Sequence, residues 1–301
     1  MNAMNMMNMK LAALALSAVV TVAAFAEGDA EVESEMPKAE NGKPIVWGFG
    51  SYGIYSGYQL YGSLLNSEPT LQGYLEVNFN LPFSVGPMDD FGFLGVGIWS
   101  NTDLTGRRKD SYRRAFNEND PNVHWEKTFW FDDARKWGLC YRTSFIWYYY
   151  PHTRRPYTAT TMDWNHSFAL VNPYVTPFFD WIHEYHESHA SLFQFGLRRT
   201  FKVTEALSLT PSVTGVIRPH DYNWCFATAG FSEYHNGGWA TLKLEMDATW
   251  WLSKWFGLFA KVAYCTTVDP DLRDAADHGS RSDYGHYKDF AWGGIGVEIR
   301  F

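Results

Sequence analysis

The last thirteen residues constrain the fold more than any other stretch. There Ala291, Gly293, Ile295, Val297, Ile299 and Phe301 alternate with Phe290, Trp292, Gly294, Gly296, Glu298 and Arg300. A period of two belongs to an extended strand, whose successive side chains point to opposite faces. One face is small and aliphatic and ends on Phe301; the other holds a carboxylate and a guanidinium. Burying both faces would strip Glu298 and Arg300 of water, so one side must be wet and the other apolar. Lipid outside and a polar lumen inside satisfy both demands.

The pattern recurs upstream. In 238–251, Leu242, Leu244, Met246, Ala248 and Trp250 oppose Lys243, Glu245, Asp247 and Thr249; in 207–218, Leu207, Leu209, Val213 and Ile217 oppose Ser208, Thr210, Ser212 and Thr214. In 70–82, Leu71, Leu75, Val77, Phe79 and Leu81 oppose Gln72, Glu76, Asn78 and Asn80. Further segments read as strands are 46–59, 92–102, 123–132, 137–150, 160–170, 174–183, 191–201 and 255–268. With the C-terminal segment these give an all-β, antiparallel up-and-down transmembrane barrel of twelve strands over 44–301, with ten or fourteen as the alternatives. The segments 123–132 and 160–170 fit least well, because Lys127 and His166 would face lipid.

Between these segments, long connections of about 10, 20, 9, 7, 19 and 20 residues alternate with short ones of about 9, 4, 3, 5 and 3. Long loops at one end and short turns at the other are the asymmetry of a bacterial outer-membrane barrel, and they place both termini in the periplasm. A soluble β-sandwich would have to bury the rows Phe256, Leu258, Val262, Tyr264 and Leu242, Leu244, Met246 instead.

The N-terminus suits export. Lys10 precedes the apolar run Leu11 to Phe25, and Ala24-Phe25-Ala26 reads as a signal-peptidase site, so residues 1–26 are expected to be a signal peptide. Residues 27–43, with Glu27, Asp29, Glu31, Glu33, Glu35 and Glu40 against Lys38 and Lys43, have little to bury and read as a flexible acidic periplasmic tail. A formal net charge of −8 with no basic stripe excludes a nucleic-acid partner. Aromatic residues make up 18% of the chain, as the interfacial girdles of a membrane barrel require. Cys140, Cys225 and Cys265 lie at no metal-binding spacing and read as packed thiols.

Several segments resemble the TorF-like family of outer-membrane porins. They are Tyr52-Gly53-Ile54-Tyr55-Ser56-Gly57-Tyr58-Gln59-Leu60, Pro69-Thr70-Leu71-Gln72-Gly73, Phe93-Leu94-Gly95-Val96-Gly97-Ile98-Trp99-Ser100-Asn101, Asn172-Pro173-Tyr174-Val175-Thr176-Pro177-Phe178-Phe179-Asp180 and Leu207-Ser208-Leu209-Thr210-Pro211. The resemblance implies an outer-membrane barrel that passes small solutes, and it supplies no substrate. The long aromatic loops 103–122 and 219–237 depart from the family pattern and suggest a divergent member.

Parity places Glu76, Arg142, Asp163, Asp180, Arg198, Lys243, Glu245, Asp247, Lys261, Glu298 and Arg300 on the inner face, as an expected pore lining for ions or a polar solute. The alternative is a salt-bridged plug, favoured by inward Trp99, Trp130, Tyr148 and Trp292 and by a barrel size between the packed and open limits. In His183-Glu184-Tyr185-His186-Glu187-Ser188-His189, the three histidines are weak metal candidates. The loop Asp269 to Asp283 is acidic but lacks EF-hand order. The pairs His186-Glu187-Ser188 and His189-Ala190-Ser191 have the spacing of an outer-membrane lipid esterase.

The expected function is therefore a porin or small-solute diffusion channel in the outer membrane. A plugged barrel with a structural or loop-binding role comes second, and a lipid esterase third. No cofactor is expected. The expected partners are outer-membrane lipid and lipopolysaccharide, small solutes or ions, and the barrel-assembly machinery through Phe301.

Overall fold

Alternation along each strand becomes a two-faced wall once neighbouring strands pair in register. In a computed structural model, Leu207, Leu209 and Val213 stand opposite Trp250, Ala248 and Leu244, while Thr210, Ser212 and Thr214 stand opposite Asp247, Glu245 and Lys243. A slip of one residue would turn the charged set into lipid, which is why the pattern fixes the register. The structure describes residues 45–61, 63–81, 83, 90–104, 118–149, 160–186, 189–218, 238–270, 273 and 289–301. The expected signal peptide and tail lie outside them.

The strands are β1 (Val46–Tyr55), β2 (Tyr58–Leu60), β3 (Ser63–Asn66), β4 (Thr70–Asn80), β5 (Phe93–Asp103), β6 (Glu118–Trp130), β7 (Gly138–Tyr149) and β8 (Thr160–Val171). They continue with β9 (Thr176–Glu184), β10 (Ala190–Arg198), β11 (Phe201–Lys202), β12 (Leu207–Arg218), β13 (Gly238–Trp251), β14 (Phe256–Thr267) and β15 (Asp289–Arg300). Omitting β2, β3 and the short β11 leaves twelve wall strands, each antiparallel to its neighbours. β15 pairs back onto β1, from Phe49 opposite Arg300 to Tyr55 opposite Gly294, so the sheet closes without an edge.

The outer face is apolar and exposed: Ile54, Leu75, Val96, Ile98, Trp181, Leu197, Trp250 and Ile295 all stand out from the wall. Such a band suits hydrocarbon. No helix among the described residues is long and apolar enough to cross a membrane.

The two awkward outward residues are handled locally. Lys127 does lie on the outer face, opposite Tyr141, but the turn before β5 folds over it and Asp90 Oδ1 accepts from its Nζ at 2.5 Å. Trp125 Nε1 donates to Phe91 O at 2.7 Å and holds the same turn down. Gly92, with φ +81°, makes the bend; a Cβ there would sit 2.1 Å from Glu126 O. The expectation of a lysine facing lipid is thus corrected: its charge is paired and covered, with 7% of its side chain exposed. His166 stays on the outer face, stacked on Trp181 at 5.1 Å and hydrogen-bonded through Nδ1 to Tyr141 Oη at 2.8 Å. There it extends an aromatic surface.

Two boundaries differ most from the sequence reading. β6 begins at Glu118, within the segment read as loop, and β1 ends at Tyr55. The residues after β1 form the β2–β3 hairpin, which turns into the barrel.

Candidate pore lining and lumen

The register puts all eleven expected lining residues on the inner face, and most of their charges meet opposite charges there. On the β4–β7 side, Arg142 Nη2 pairs with Glu76 Oε2 at 2.9 Å, and its Nη1 lies 3.7 Å from Glu126 Oε2. Glu76 also accepts from Tyr74 Oη and, at 2.8 Å, from Asn78 Nδ2. Behind them Asn78 Oδ1 lies 3.0 Å from His124 Nε2. Gly95 leaves room for that imidazole, since a Cβ would fall 2.1 Å from it.

On the β13–β14 side, Lys261 bridges Asp247 at 3.1 Å and Glu245 at 3.6 Å, and Lys243 reaches Glu245 at 3.1 Å. Arg300 lies over the Trp251 ring at 3.6 Å and Arg198 over Phe178 at 5.6 Å, cation–π placements that keep guanidinium groups against the wall. The inner face is therefore charged but locally compensated.

The outer end of the lumen differs. Asp103, Glu118, Asp120, Asp163 and Glu184 are all buried on the inner face of β5, β6, β8 and β9. Only Asp163 among them was expected from the sequence. The rest sit at strand ends that read as loop or turn, and the sole available signal was Glu118, Asp120 and Asn122 at spacing two.

Into this end folds the β2–β3 hairpin. Tyr58 packs against Trp99 with ring centroids 5.2 Å apart. Tyr61 packs on a buried patch of Ile182, Ala190, Leu192 and Val216. Its hydroxyl bonds Tyr148 Oη at 2.8 Å and Asp163 Oδ2 at 3.0 Å, and Arg218 Nη2 donates to its carbonyl at 2.6 Å. Further along, Leu64 joins Cys265, Phe290 and Trp292. The hairpin thus crosses the lumen from β5 to β15, and inner-face positions otherwise expected to be polar are apolar where it docks. Asp163, expected as open lining, is one of its anchors.

Of the remaining candidates, His183 and Ser191 sit on the outer face, and His186 and His189 lie between β9 and β10. Ser191 lies opposite His183, whose Nδ1 is 3.1 Å from Ser191 Oγ, and Trp181 Nε1 donates to the same oxygen at 2.9 Å. The expected pairing of Ser191 with His189 is therefore corrected: cross-strand register brings His183 to Ser191, while His189 takes a left-handed φ of 51° at the loop. Glu187, Ser188, Cys225 and most of 269–283 lie outside the described residues. The backbone N–H of His186 donates to Glu184 Oε1 at 2.7 Å. Among the described residues no three His, Cys, Asp or Glu side chains are gathered for a metal, and Cys140 and Cys265 are free thiols.

No family model and no curated protein sequence matches this chain. Solved structures do. The COG4313 outer membrane channel from Pseudomonas putida F1 aligns over 91% of this chain and all of its own, at 10% identity and a TM-score of 0.50. The fold is that of outer-membrane β-barrels. Lower similarity links this barrel to the NanC porin, at 12% identity over 83% of this chain and 98% of that one, with a TM-score of 0.45. Outer membrane phospholipase A from Escherichia coli aligns at 11% identity over 84% of this chain and 92% of its own, with a TM-score of 0.44. At these identities the likeness concerns the fold, and the barrel's function has to be argued from its own lumen.

Proposed function

We propose that this barrel is a porin, a small-solute diffusion channel of the outer membrane, and a divergent relative of the TorF-like porins. The observation that carries the reading is the division of the closed wall into an apolar outer face and an inner face bearing ionisable groups on most strands. A barrel needing only to sit in lipid would lower its desolvation cost with an apolar packed interior. On this reading the eleven inward charges line the path, lipopolysaccharide surrounds the outer rim, and Phe301 is presented to the assembly machinery.

The hairpin across the lumen favours a second reading, a barrel plugged at its outer end whose loops do the work. Single-channel recording of folded residues 27–301 in a planar bilayer separates the two. The porin gives discrete open steps, with ion preference altered by Arg142→Gln or Arg198→Gln. Silence from protein that resists SDS until heated overturns the porin and leaves the plug.

A further inference from the structure

A cavity of about 320 Å³ lies between the hairpin and the wall from β4 to β7. Its apolar surfaces are chiefly rings: Trp99, Tyr74 and Tyr148 from the wall and Tyr58 from the hairpin. Between the rings stand neutral hydrogen-bonding groups, Gln59, Gln72, Asn122 and Ser144. Two charged side chains border it: Arg142, already paired with Glu76 at 2.9 Å, and Asp120, a buried carboxyl that adds a further hydrogen-bonding group for hydroxyls.

This lining selects by chemistry. An apolar solute would desolvate the amides and the hydroxyl without replacing their bonds, a cost of about 1–3 kcal/mol for each group left unpaired. An inorganic anion is repelled by the ring faces, and a small hydrated cation would have to exchange its water for rings and amides that replace it poorly. A sugar ring has both required surfaces: axial C–H groups that lie against an aromatic face, and equatorial hydroxyls that donate to and accept from amides. The volume is that of a small-molecule site rather than of a void.

We infer that this cavity is a carbohydrate-binding site for a neutral sugar of one or two rings, built jointly by the wall and the hairpin. The inference rests on the channel reading and deepens it, making the barrel a sugar-selective pore. A transient site on the path raises the local concentration of the preferred solute while leaving it free to depart.

The test is block of the open-channel current by maltose, with sorbitol as an open-chain polyol that offers hydroxyls but no ring face. Maltose gives saturable block at concentrations at least about tenfold below any effect of sorbitol. Trp99→Ala weakens the block roughly five- to tenfold, the loss of one ring contact, and Asn122→Ala weakens it without relying on the same side chain. Heat-dependent gel mobility checks that both variants fold. An open channel with no saturable maltose block, or with equal block in both folded variants, overturns the sugar site while the porin reading stands. If the channel is silent, calorimetric titration of maltose into the folded protein decides: binding keeps the site and sinks the porin, and no binding sinks both.

Discussion

Tyr61 donates a hydrogen bond to Asp163 across 3.0 Å, tying a hairpin near the start of the barrel to an inner-face carboxylate 102 positions later. The same hydroxyl meets Tyr148 at 2.8 Å, so one oxygen joins the hairpin to both β7 and β8. Tyr61→Phe keeps the packing on Ile182 and Leu192 and deletes both bonds. A hydrogen bond to a charged group contributes about 1.5–3 kcal/mol, enough to change how often the hairpin leaves its seat. Larger or noisier single-channel current in the variant is expected; identical current would show that apolar contacts alone hold the hairpin.

The latch has a pH signature. Burial, and then the neighbouring Asp163, raise the Tyr61 phenol well above its ordinary value. A raised acid pKa means the seated hairpin prefers the protonated hydroxyl. Its contribution is complete below the ordinary phenol value of about 10 and disappears only as pH climbs through the higher seated value. Current is therefore expected to hold steady from about pH 8 to 9.5 in the wild type. A step near pH 10 that Tyr61→Phe abolishes would show a solvent-like phenol and refute the buried latch.

Glu76 depends on Arg142 for its compensating charge in the lumen wall, at 2.9 Å, with 7% of the Glu76 side chain exposed. Arg142→Gln leaves a carboxylate held by Tyr74 and Asn78 but without its cation. Losing one partner of such a pair costs roughly 2–4 kcal/mol, discounted because the arginine is partly solvated. The barrel should unfold at lower urea, and reversal potentials should move toward cation preference. Movement toward anions would mean that Glu76 does not face the permeation path.

Lys127 and Asp90 form a pair on the membrane side rather than in the lumen. Asp90→Ala exposes a lysine to the lipid-facing surface, with an expected loss of about 1–3 kcal/mol, depending on depth. Lys127→Met in the same chain should recover most of that loss, because the charge is then gone as well. A double-mutant cycle by equilibrium unfolding measures the coupling. If the two losses simply add, the turn is held by Trp125 and Phe91 instead.

How much of this was readable beforehand follows from which contacts are local. Strands such as 207–218 and 238–251 were legible to the residue, because alternation, register and the lipid boundary all say the same thing there. Lys127 misled because its partner comes from a turn thirty-seven positions away, and parity says nothing about what covers a face. Glu118 and Asp120 were missed because a charged strand end at the rim looks like loop. The hairpin was hidden for another reason: Tyr58, Tyr61 and Leu64 read as an extension of the first strand and a connecting loop, and only the finished wall supplies the surfaces they bury against. The inward Trp99 and Tyr148 were the available hint that something fills the lumen.

The hairpin's seats are spread around the circumference: Trp99 on β5, Tyr148 and Asp163 on β7 and β8, Val216 and Arg218 on β12, Cys265 and Phe290 on β14 and β15. No partly assembled sheet offers them all. Although the hairpin is made early in the chain, it can settle fully only after β15 has reached β1. The crossbar is thus the last piece to fit, and its seating registers that the ring is complete.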